Sequence, residues 1–196
     1  ALDTIPGLTA YLGLHENVCT GAADGYGRMA EKPAMTLLHL GPGLANGLAN
    51  LHNARRARAP MFVVVGEHAT WHKPYDAPLT MDIESVATTA SDWVRTNEST
   101  DAIAQNTHEA ITVANGTPGK VATLIVPHNH QWSEANYAPA SVPSSQIGSV
   151  DSNRVNDSIA SLQRTEKVLL LLGGRALYGR GLEAAGRIAR STGCDV

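Results

Sequence analysis

The chain has 196 residues, 43% of them hydrophobic and 17% charged, with 15 Lys and Arg against 18 Asp and Glu for a formal net charge of −3. This excludes a disordered or fibrous chain and leaves no global attraction to nucleic acid or an anionic membrane. No apolar run nears the roughly 18 residues that span a bilayer, and the widely separated Cys19 and Cys194 make no disulfide framework, so a reducing cytoplasm is expected.

In chain order, Leu8–Leu14 reads as a strand and Asn17–Ala30 as a helix stopped by Pro33. Ala34–Leu40 reads as a second strand, Gly41-Pro42-Gly43 as a tight turn, and Leu44–Ala57 as a helix with Leu44, Leu48 and Leu51 on one face. The continuous apolar run Pro60–Gly66 predicts a strand covered on both faces, as in a parallel sheet. A loop rich in Pro, His and Trp follows. Next come a short helix near Asp82–Thr88, a strand at Trp93–Thr96, a helix over Thr100–Asn115 capped by Thr100 or Ser99, and a buried strand at Val121–Pro127. Residues 133–150 are rich in Ser and Pro and read as a linker. Beyond it, Asp151–Arg164 predicts a helix, Lys167–Leu172 a strand, Gly173-Gly174 a turn and Leu177–Arg190 a helix. Alternating strands and helices predict an α/β fold with a parallel sheet flanked by helices, then the start of a second α/β domain.

Two segments carry chemistry. His15-Glu16 precedes Gly21-Ala-Ala-Asp-Gly-Tyr-Gly-Arg28, and Glu16 falls where a predicted strand turns into a helix, the edge at which open α/β sheets bind ligands. An acid at a helix start also has a purely local role, since it caps the helix and suits its dipole. Leu40-Gly-Pro-Gly-Leu-Ala-Asn46 occupies a second strand-to-helix turn, where glycines let backbone approach a flat ligand.

Taken together, the order and spacing of these segments resemble the pyrimidine-binding domain of thiamine-diphosphate-dependent enzymes, most closely the acetolactate synthase large subunit. The resemblance is close from about Leu8 to Trp132 and looser beyond. It implies a pyrimidine-binding domain over 1–132, a linker over 133–150 and the beginning of a central domain over 151–196. It further implies that Glu16 hydrogen-bonds N1′ of the aminopyrimidine, favouring the imino tautomer that removes the C2 proton, and that Gly41, Pro42, Gly43 and Asn46 line the pyrimidine. Such a carboxyl group is expected in a dry pocket with a raised pKa, and Leu12, Leu14, Val18 and Leu40 are its apolar neighbours in sequence. The implied reaction is decarboxylation of a 2-oxo acid such as pyruvate and transfer of the two-carbon unit to an acceptor. Mg²⁺ and the diphosphate belong to a Gly-Asp-Gly…Asn domain that this sequence lacks, and FAD is left open. Family members carry about 40 residues before the position where this chain starts, so the sheet is expected to lack one piece and the chain to be part of a longer enzyme. The family builds active sites across subunits, so a homo-oligomer, dimer or tetramer, is implied.

The sequence departs from that pattern in two places. Leu14 stands where Arg is common, and the loop after Gly66 has no Gln at the corresponding place. His15, His68, His72 and Asp76 are candidates to face the substrate, with solvated loop residues as the plainer reading for the last three. His128-Asn-His130 has metal-ligand spacing but falls at a strand end, where surface placement is ordinary. Cys19 has no base partner in sequence and reads as packing. Two other functions stay open: a related decarboxylase or lyase of the benzoylformate decarboxylase or benzaldehyde lyase type, and a non-catalytic α/β nucleotide-binding or interaction module.

Overall fold

The computed structural model describes residues 4–136 and 148–196. The chain divides into two compact units, Ala1–Gln146 and Ile147–Val196. In the first unit the elements run α1 (Glu16–Ala30), β1 (Ala34–His39), α2 (Leu40–Ala57), β2 (Met61–Glu67), α3 (Ile83–Ala90), β3 (Trp93–Thr96), α4 (Ala102–Ala114) and β4 (Val121–Pro127). The four strands form one parallel sheet in the order β1-β2-β4-β3. The expected α/β class is therefore present.

Strand periodicity explains the layers. Met61, Val63 and Val65 of β2 and Val121 and Ile125 of β4 point to one face, where they pack with Leu44 and Leu51 of α2 and Ile83 of α3. Phe62, Ala122, Leu124 and Val126 point to the other face, against Ala110 and Ala114 of α4. Side chains alternate with period two, so a strand buried on both faces must be apolar throughout. β1 lies at the edge and obeys the rule on one face only. Thr36 and Leu38 are buried, while Met35 and Leu37 stay 45% and 59% exposed.

Three expectations fail here. Leu8–Leu14 is not a strand; it runs as largely exposed irregular chain, with Tyr11, Leu12 and Leu14 out in solvent. An extended segment becomes a strand only by pairing its N–H and C=O groups, and no described strand pairs with it. Nor is Gly41-Pro42-Gly43 a separate turn, since α2 begins at Leu40 and contains all three residues. At the junction with β1, Leu40 adopts a left-handed conformation at φ 56°. Pro42 is tolerated because the first helical N–H groups have no intrahelical partner to lose. The N-cap of α4 is Asp101 rather than Thr100 or Ser99, because the helix begins at Ala102; Asp101 makes no side-chain cap, and the Ser99 hydroxyl accepts from the Ala102 N–H at 3.2 Å instead.

In the second unit, α5 (Ser152–Arg164) and α6 (Arg180–Thr192) are helices, as expected, with α6 starting later than Leu177 because a short 3₁₀ turn occupies Gly174–Leu177. Lys167–Leu172 does not form a strand beyond a single parallel bridge from Leu169 to Asp195. Leu169 and Leu171 are 68% and 89% exposed, so the apolar run has no layer to bury it. Of the expected linker, residues 137–147 lie outside those described.

Candidate functional site

The site is built where α1 crosses α2. The N-cap of α1 is His15, whose ring Nδ1 accepts the Asn17 N–H at 3.1 Å. Glu16 is thus the first helical residue rather than the cap, and its carboxylate is released to reach sideways. One oxygen, Oε2, accepts from Asn46 Nδ2 at 3.1 Å. The other, Oε1, lies beside Gly43: a Cβ placed on that glycine would come within 3.4 Å of it. Glu16 therefore lies beside Gly43 and Asn46 near the start of α2, the end of that helix that carries partial positive charge.

The crossing is close because small residues make it so. A Cβ on Gly47 would lie 2.8 Å from Thr20 Cγ2, and one on Gly21 would lie 2.8 Å from Asn50 Nδ2. The fully buried Thr20 hydroxyl is 3.1 Å from the Gly47 carbonyl oxygen, to which it can donate. Asn50 Nδ2 donates to the Asn17 carbonyl at 2.8 Å and to its side-chain oxygen at 2.9 Å. Gly41 packs directly on the Met81 side chain, which leaves no room there for a β-carbon.

Electrostatics correct one expectation. The Glu16 carboxyl is held below the usual carboxylate range, first by its own backbone N–H, then by Asn46, with smaller help from His15 and His39. The anticipated dry pocket is absent from this unit alone. Leu12 is 91% exposed, Leu14 96% and Val18 62%, and among the four apolar neighbours only Leu40 is buried.

Beyond Leu40, the carboxyl ends of β1, β2 and β4 open into a cavity of about 760 Å³. Its walls include His39, Glu67, His68, Trp71, His72 and His128. Sheet register puts them there. His39 pairs with Gly66 and Glu67 with Pro127, so the last residues of three adjacent strands end at one level. Glu67 is buried; it accepts the His68 N–H at 2.7 Å and pairs with Lys73 Nζ at 3.2 Å. That ion pair ties the loop after β2 back onto the strand end. The His68 and His72 rings meet edge to face with centroids 5.2 Å apart. Asp76, also considered from sequence, is exposed and is not among the cavity residues.

The expected residues thus fall into two groups. Glu16, Gly43 and Asn46 adjoin one another, with Gly41 and Pro42 in the same helical turn, while His68 and His72 line the cavity and His15 is used in a cap. His39, Glu67 and Trp71 were not singled out from sequence. The signal available for His39 and Glu67 was their position as the last residues of buried or half-buried strands. His130 Nδ1 lies 3.2 Å from Asn97 Nδ2, and among the described residues no cluster of three or more His, Cys, Asp or Glu side chains could hold a metal ion. Cys19 and Cys194 are free thiols, and Cys19 Sγ fills the space beside Gly13.

Residues 1–87 match the family model described as thiamine pyrophosphate enzyme, N-terminal TPP binding domain. The chain is 50% identical over 194 residues to the "Putative acetolactate synthase large subunit IlvX" of Mycobacterium tuberculosis, covering 98% of this chain and 37% of that relative. It is 27% identical over 132 residues to benzoylformate decarboxylase of Pseudomonas aeruginosa, covering 67% of this chain and 24% of that protein. The solved thiamine diphosphate-dependent 4-hydroxybenzoylformate decarboxylase of Rhodococcus jostii RHA1 superposes with a TM-score of 0.84 at 21% identity, over 94% of this chain and 36% of that one, a likeness of fold. The chain therefore spans little more than a third of the length of even its longer matches.

Proposed function

Since the chain belongs to the thiamine pyrophosphate enzyme family, as its N-terminal cofactor-binding domain, we propose that it supplies the pyrimidine half of an active site that decarboxylates a 2-oxo acid and joins the fragment to an acceptor, as an acetolactate synthase does. The observation that carries this reading is the placement of Glu16, an accessible carboxylate held by Asn46 and turned toward the glycine-lined start of α2.

The residues fit the cofactor's aminopyrimidine. Gly43 leaves open the space that a β-carbon would take beside Glu16 Oε1, so a flat ring can approach the carboxylate there. When bound, thiamine diphosphate supplies an acidic ring carbon and an electron sink for decarboxylation. Glu16 holds a proton against the pyrimidine N1′. Asn46 fixes the carboxylate's orientation, and the first turn of α2 shapes the wall. Covering Glu16 with a ring removes water from an acid whose pKa the free unit holds low, and desolvation moves it upward, toward the range a proton-sharing acid needs. Residues 1–132 form the pyrimidine-binding domain in this reading and 151–196 begin the central domain. Mg²⁺ and the diphosphate are held by segments outside this chain, and a partner subunit completes the site in a homo-oligomer.

The test is C2 hydrogen–deuterium exchange in cofactor bound to the intact protein, wild type beside Glu16→Gln. Removal of the acid slows exchange about 10²–10⁴-fold. A Glu16 that serves only the helix start instead costs at most about 1 kcal/mol of stability and leaves exchange unchanged, and that result removes it from the mechanism.

A further inference from the structure

We infer that Met81 is a positioning residue for the Glu16 site: a backstop that sets how closely the first turn of α2 approaches the carboxylate. This inference rests on the reading above. The turn is held from two opposite sides. Residues two apart on a helix point about 200° from each other, and Gly41 and Gly43 are such a pair at the start of α2. On the Gly43 side stands Glu16, whose Oε1 would lie 3.4 Å from a β-carbon there. On the Gly41 side stands Met81. A β-carbon on Gly41 would run into Met81 Cβ, and would lie 2.8 Å from its Sδ and 3.0 Å from its Cγ. The turn therefore meets Met81 with bare backbone, and a shift at that contact passes to Gly43 with no flexible side chain between them. Met81 has a firm base. The Ile83 N–H donates to its carbonyl at 2.8 Å, the Asp82 side chain caps α3 by accepting the Ser85 N–H at 3.1 Å, and Ile83, Ala87 and Ala90 bury α3 in the core. The turn needs such support, because Leu40 enters α2 at φ 56°, which a non-glycine residue keeps only where its surroundings hold it. Asn46 lies one helical turn beyond Pro42, so the position of the first turn also sets the 3.1 Å hydrogen bond that orients Glu16. Met81 itself is 37% exposed, so its role is contact with the turn rather than filling of the core.

The test exchanges volume across the contact and reads the Glu16 corner in the intact protein. The first reading is the carbon-13 signal of the Glu16 carboxyl without cofactor, assigned with Glu16→Gln. The second is C2 hydrogen–deuterium exchange in bound thiamine diphosphate. Met81→Ala should displace the Glu16 signal and slow exchange about tenfold, and Gly41→Ala, which drives a β-carbon into Met81, should slow it about 10²-fold. Gly41→Ala combined with Met81→Gly moves the β-carbon from one side of the contact to the other and should restore exchange to within about threefold of wild type. Met81→Leu keeps the bulk and should stay as close. Tyr75→Ala, at an 80% exposed position of the loop after β2, should move neither reading. An unmoved Glu16 signal or wild-type exchange in Met81→Ala, an equal displacement in Tyr75→Ala, or a double variant as slow as Gly41→Ala alone overturns the inference. Should Gly41→Ala fail to fold, Met81→Ala and Met81→Leu decide it by themselves. The carbon-13 reading needs no cofactor and so separates the two claims. A displaced signal in Met81→Ala with no cofactor binding to the wild type keeps the backstop and refutes the cofactor reading; an unmoved signal with normal cofactor binding refutes the backstop alone.

Discussion

Gly47→Ala probes how the α1–α2 crossing sets the site. The added β-carbon would sit 2.8 Å from Thr20 Cγ2. Carbon atoms rest at about 3.5–4.0 Å, so the helices must separate by roughly 1 Å or the methyl must give way. Thr20 is fully buried and β-branched, so its rotamer has little freedom to yield. Overpacking of this kind costs about 1–3 kcal/mol, and the gain of up to about 1 kcal/mol from replacing a helical glycine offsets part of it. A small net loss of stability, of order 1 kcal/mol, is expected. The functional loss should be larger. Moving α1 away from α2 carries Glu16 from Asn46 and Gly43, and a misplacement of about 1 Å can cost about 10²-fold in rate. Thr20→Ser provides the internal control: it removes the clashing methyl but keeps a hydroxyl able to reach the Gly47 carbonyl. The double variant should recover both stability and C2 exchange, with a coupling that a double-mutant cycle resolves. Thermal unfolding and C2 exchange on the four proteins are the assays. A Gly47→Ala protein with wild-type exchange, or a double variant no better than the single one, refutes the claim that this crossing positions Glu16.

Three further outcomes follow from the same structure. Asn46→Ala removes a donor to the Glu16 carboxylate, so its pKa should rise toward the ordinary value while its own backbone N–H keeps it partly depressed; a carbon-13 titration of the side-chain carboxyl checks the direction. The sign for stability follows from that depressed pKa. The contribution is present above the unfolded-state pKa and disappears as pH falls through the folded one, so Asn46→Ala should lessen the acid sensitivity that Glu16 confers. Leu51→Ala empties a wholly buried position between α2 and the sheet and should cost about 2–5 kcal/mol by urea unfolding, whereas a loss below about 1 kcal/mol would mean the site collapses around the deletion.

Much of this was legible in the residues because local chemistry dictates it. The mostly apolar runs of β2 (Met61–Glu67) and β4 (Val121–Pro127) become strands buried on both faces, since nearly all alternate side chains must then be apolar. Helical spacing of Leu44, Leu48 and Leu51 set the inner face of α2, and the family resemblance carried by two glycine-bearing segments implied that Glu16 and Gly41–Gly43 share a corner. The rest depended on partners distant in the chain. Leu8–Leu14 and Lys167–Leu172 have strand-forming composition, yet a strand exists only when another strand satisfies its backbone. Whether Glu16 caps a helix or reaches a neighbour was settled by His15 taking the cap and by Thr20 and Gly47 letting α2 come close. His39, Glu67 and Trp71 share one cavity only because parallel register ends β1, β2 and β4 at a common level. Spacing along the chain encodes what a residue's own helix or strand does with it; which residues meet across elements is decided by sheet order and helix crossing, where burial and backbone pairing are satisfied together.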